Sequence, residues 1–107
     1  MPKYLFRGSY SQKGIEGVMK EGGTARKAAA TALAESVGGR LEAFYFAFGA
    51  HDFYVVAELP DHAAAVVLSA TVGASGAMSA FETVALITPE EADEAAKRSA
   101  RYRAPGA

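Results

Sequence analysis

The chain has 107 residues, 50% of them apolar and 21% charged, the balance of one globular domain with enough apolar material for a core. A net charge of -1 supplies no field to hold nucleic acid or an anionic membrane. The absence of cysteine excludes disulfides, iron–sulfur clusters, thiolate zinc sites and thiol nucleophiles.

The opening MPKYLFRGSY has neither an apolar h-region nor a small-residue cleavage site, and no apolar run approaches membrane-spanning length. The expectation is a soluble, cytoplasmic protein. Residues 3 to 10 are aromatic-rich and of strand length. Ser11 can cap a helix in which Ile15, Val18 and Met19 recur at helical spacing. Gly22-Gly23 breaks that helix, since each glycine costs roughly 1 kcal/mol against alanine. Thr24 can cap a second piece whose Ala25, Ala29, Leu33 and Val37 extend the stripe, with Gly38-Gly39 as a left-handed stop.

Residues 40 to 48 and 51 to 59 are aromatic and β-branched runs across a very short link, a hairpin pattern in which Gly49 can take a positive φ. Pro60 stops the second run, and Asp61 caps a helix reaching about Ala74, with Val66, Val67 and Ala70 as its expected buried side and Gly73 and Gly76 as its breakers. A fourth strand spans about Met78 to Ile87. TPEE then supplies a capping box of Thr88 and Glu91 with Pro89 at the first helical position, opening a charged helix expected to end near Tyr102. The order is β-α-β-β-α-β plus a terminal helix. That is an α+β, ferredoxin-like antiparallel sheet with its helices on one face, in a single domain over residues 1–102 followed by a loose tail over 103–107.

In such a fold the second sheet face should alternate polar with apolar. Here Leu41, Ala43, Tyr45 and Ala47 form one alternate set and Phe44, Phe46 and Phe48 the other; His51, Phe53, Val55 and Ala57 oppose Asp52, Tyr54 and Val56 in the next run. Both sets are apolar in both runs, so one face needs cover, and a symmetric homodimer with its sheets face to face supplies it. The terminal helix is too charged to act as a lid.

The stretches YLFRGSYSQKG, GGRLEAFYFAFGAHDFYVVAELPD and SGAMSAFETVALITPEE resemble the GYD domain family over nearly the whole length. The family's naming glycine, tyrosine and aspartate read here as Gly49, His51 and Asp52, with histidine in the tyrosine's place. The resemblance implies a fold similar to the dimeric α/β barrels, which include cofactor-free monooxygenases, small isomerases and haem enzymes. Fold analogy licenses no reaction.

Several residues are candidates for a site. His51 and Asp52, adjacent on an expected strand, should point to opposite faces and so form no compact pair. Asp52 suits a structural role, accepting hydrogen bonds from turn amides, as Gly49 suits the turn. Histidine is the residue type suited to proton transfer near neutral pH, which makes His51 the candidate general base. His62, beside a helix start, is expected in solvent. Arg7 inside an apolar strand can line a cavity and hold a carboxylate, or pair with Glu82 across the sheet; Tyr10, Tyr45 and Tyr54 can add phenols to the same ligand site. Lys20 and Arg26 flank the Gly22-Gly23-Thr24 break as a weak anion site. Histidine spacing suggests no metal site. No cofactor is expected, haem on an axial histidine being the one that the fold analogy leaves open. The reading is a homodimer or larger assembly of itself that binds a small, partly apolar molecule, with no nucleic-acid or membrane partner. The alternatives are a cofactor-independent monooxygenase- or isomerase-like enzyme using His51, and a structural, partner-binding dimer without a pocket.

Overall fold

The computed structural model describes residues 1–107. Strand β1 (Lys3–Tyr10) leads into helices α1 (Gln12–Glu21) and α2 (Gly23–Ser36). Strands β2 (Arg40–Phe46) and β3 (Phe53–Glu58) follow, then helix α3 (His62–Ala74), strand β4 (Met78–Leu86) and helix α4 (Pro89–Ala96). The four strands form one open antiparallel sheet in the order β2-β3-β1-β4. The fold is α+β, and no helix is long and apolar enough to cross a membrane.

Alternation along the strands divides the sheet into two faces. Tyr4, Phe6 and Ala57 point to the helices, where they pack with Ala34 of α2 and with Ala65 and Leu68 of α3 around fully buried Leu59. Leu5, Arg7, Tyr54, Val56, Glu82 and Val84 point to the opposite face, which no helix covers. Arg7 and Glu82 sit directly opposite one another and form an ion pair there at 2.8 Å. Lys3–Glu42 and Arg40–Glu58 frame the same face.

Local signals account for most helix ends. The Ser11 hydroxyl accepts from the Gly14 amide, the Asp61 carboxylate from Ala64, and Thr88 and Glu91 complete the expected capping box. Gly22, at φ 90°, makes the corner between α1 and α2 and stands as the cap of α2. Thr24 therefore lies inside α2 rather than at its start. The stop after α2 falls on Gly38, at φ 85°.

Other expectations give way. The link between β2 and β3 runs over residues 47–52, so His51 and Asp52 lie in a loop and not on a strand, and Gly49 has no positive φ. A bulge between Leu41 and Ala43 shifts the parity of β2, bringing Leu41 to the helix side with Phe44 and Phe46 while Ala43 and Tyr45 face outward. In α3 the buried residues are Ala65 and Leu68, whereas Val66 and Val67 are 66% and 55% exposed and Ala70 is exposed too. The helix is apolar all round, so its composition could not orient it. It also runs through Gly73 to Ala74, where Gly76 is the glycine with positive φ. Met19, expected on the inner stripe of α1, is 80% exposed. Helix α4 ends at Ala96, well short of Tyr102, with no buried residue.

Candidate functional site

Between the sheet and helices α1, α2 and α3 lies a cavity of ≈ 430 Å³ lined by 23 residues, 16 of them hydrophobic. Phe6, Phe53 and Phe81 form its sheet-side wall, Leu33 and Ala34 of α2 and Leu68 and Val72 of α3 its helical sides. Its polar side chains are Tyr10, Lys13, Glu21, Arg26, Thr71 and Ser75. The volume falls in the range of roughly 300–1,000 Å³ that ligand pockets occupy.

The two glycines of α1 beside this space differ in what they are needed for. Two interior glycines weaken a ten-residue helix by roughly 1 kcal/mol each against alanine, so their positions need a reason. A Cβ on Gly14 would lie 2.0 Å from the Ala77 carbonyl oxygen, and that carbonyl is fixed by the Ser11 amide at 2.8 Å. A Cβ on Gly17 would meet nothing within 4 Å, although the residue lines the cavity. Gly17→Ala should therefore raise stability by up to about 1 kcal/mol, whereas Gly14→Ala should lower it by about 1–3 kcal/mol through forced backbone displacement. Urea midpoints of the two variants measure both effects, and equal midpoints would contradict this account.

The structure separates the candidates of the sequence. Tyr10 and Arg26 line the cavity. Arg7, Tyr45 and Tyr54 lie on the uncovered sheet face, with the Arg7 guanidinium engaged by Glu82. The His51 ring meets Tyr54 edge-on at 5.9 Å, and its Nδ1 is buried without a hydrogen-bond partner. Lys20 is exposed and outside the cavity. His62 is exposed, yet its Nδ1 lies within hydrogen-bond distance of the Tyr4 hydroxyl. Asp52 accepts from the Tyr10 amide at 2.9 Å, while its own amide donates to Gly8 and its carbonyl accepts from Ala47. One residue thus closes the 47–52 loop on itself and ties it to β1. No group of three or more His, Cys, Asp or Glu side chains is gathered as metal ligands would be.

Lys13, Glu21 and the phenylalanine wall were missed by sequence reasoning. Lys13, Gly14, Gly17, Val18 and Glu21 share one helical face, which was a readable signal. Burial raises the Tyr10 phenol pKa above its ordinary value of 10.0; nearby Arg26 opposes the shift, and the Asp52 and Glu21 carboxylates add to it. The hydroxyl is therefore protonated at neutral pH, a donor facing the cavity.

The GYD domain family model matches residues 4–96 of the 107-residue chain. The chain belongs to that family. No curated protein and no solved structure matches it. In this GYD domain the hydrogen bonds of Asp52 give it a structural task at the end of β1.

Proposed function

We propose that this GYD domain is a homo-oligomeric, small-molecule-binding module of ferredoxin-like, dimeric α/β-barrel type, whose ligand occupies the cavity between sheet and helices. The strand order β2-β3-β1-β4 with helices on one face supports the ferredoxin-like arrangement. The cavity carries the binding reading: an apolar space of ≈ 430 Å³ behind α1, with a handful of polar groups to orient an occupant.

Surface area supports the assembly. The chain exposes 7296 Å², against about 5,700 Å² for a folded monomer of its mass. A standard interface hides about 800 Å² per partner, so the excess is ample for one. The uncovered sheet face and residues 87–107, all of the latter exposed, contribute to it.

A second reading places chemistry on the uncovered face, with His51 as the general base of a cofactor-independent enzyme. Its buried, unpartnered Nδ1 beside Tyr54 favours it.

The neutral fluorophore N-phenyl-1-naphthylamine tests the cavity. Saturable binding of one molecule per chain is expected, together with its loss in Ala30→Phe, which pushes a ring into the same space while α2 is retained by circular dichroism. Unsaturable binding, or saturable binding unchanged in that variant, overturns the reading.

A further inference from the structure

We infer that the ligand is a hydrophobic monocarboxylate, its tail against the phenylalanine wall and its acid group held by Arg26 and Tyr10 under the added positive charge of Lys13. This deepens the binding reading above and rests on it.

The apolar wall decides the tail. Phe6 stacks on Phe81 at 6.0 Å, and Phe53 meets Phe81 edge-on at 6.2 Å, so the deep surface offers hydrocarbon and ring edges only. A polar group placed there would lose its water without a partner. Thr71 and Ser75 add little, because their hydroxyls already donate to the Val67 and Val72 carbonyls of α3.

The remaining polar groups decide the head. Arg26 is half-buried and spends one nitrogen on Glu21 at 3.3 Å, leaving the rest of its donor fork free. Lys13 makes no ion pair, and the Tyr10 hydroxyl makes no hydrogen bond. Two cations against Glu21 leave one net positive charge in the lining, with the Asp52 carboxylate engaged by the Tyr10 amide. A single carboxylate balances that charge and fits the fork in two-pronged fashion. A dianionic phosphate would carry a second charge towards Glu21.

Competition against the bound fluorophore tests this with two ligands that share a ring system, 2-naphthoate and 2-naphthalenemethanol. The acid should bind at least about tenfold more tightly than the alcohol, a difference of about 1.4 kcal/mol. Lys13→Gln combined with Arg26→Gln should abolish that preference, the acid losing at least about tenfold more affinity than the alcohol, and Glu21→Gln should enlarge it. Alcohol binding as tight as the acid, or a preference that survives the double substitution, overturns the carboxylate inference while leaving the cavity reading intact. Displacement by neither ligand overturns the carboxylate inference, whereas a fluorophore that does not bind saturably in the first experiment overturns both.

Discussion

Phe53→Ala should lower the unfolding free energy by about 3–5 kcal/mol, the largest loss expected from any single truncation in this chain. Phe53 is 3% exposed and stands in register with Gly8 of β1, as does Phe81 on the other side. Gly8 cannot carry a side chain, because its Cβ would come within 2.3 Å of the Ala80 carbonyl oxygen. The two phenylalanines cover that bare backbone and meet above it edge to face, and Tyr10 packs edge-on against Phe53 at 5.2 Å. Removing one ring strips the central strand of its cover, and the space it vacates joins the existing cavity instead of collapsing. For a domain of this size a loss of that order lowers the melting temperature by more than about 10 °C. Because the same ring forms the cavity wall, ligand binding should weaken in parallel. A urea-derived loss below about 1 kcal/mol would mean that Phe53 is not the keystone described.

The parts legible in the sequence were those encoded within a few residues. Ser11, Asp61 and the Thr88–Glu91 box act through hydrogen bonds across one turn, so each could be read from its own neighbourhood. Facing was harder. The bulge in β2 changes which residues Leu41 keeps company with, and no local pattern announces it. Helix α3 is apolar on every side, so Val66 and Val67 were as plausible inside as Ala65 and Leu68, and only the tertiary contact decided. The site suffered from the same gap. Arg7 and Tyr10 are three apart on one strand, and strand parity alone would have placed them on opposite faces. Grouping them in one pocket neglected that parity, and the structure puts one in an ion pair and the other in the cavity.

Val56→Asp should convert the homo-oligomer proposed above into monomers at micromolar concentration without unfolding the chain. Val56 lies on the uncovered face between Leu5 of β1 and Ala43 of β2, with Val84 two strands away beyond Leu5. The three ion pairs Lys3–Glu42, Arg40–Glu58 and Arg7–Glu82 hold the charges of this face in neutral couples, so what remains for a partner to cover is an apolar strip. In the single chain, an aspartate at this half-buried position keeps contact with water, and the helix-side core of Tyr4, Phe6 and Leu68 is untouched. Between two sheets the same carboxylate would be desolvated without a cation to meet it, at a cost of several kcal/mol per copy. Twofold symmetry applies that penalty twice. The dissociation constant should therefore rise by at least about a thousandfold, since each 1.4 kcal/mol is a factor of ten. Sedimentation velocity of the two proteins gives the answer, with circular dichroism as the check on folding. A wild-type chain that sediments as an 11.1 kDa species at micromolar concentration removes the sheet-to-sheet assembly altogether. A variant that stays associated moves the interface elsewhere, to the exposed Val66–Val67 side of α3, and Val67→Asp in the same experiment then locates it.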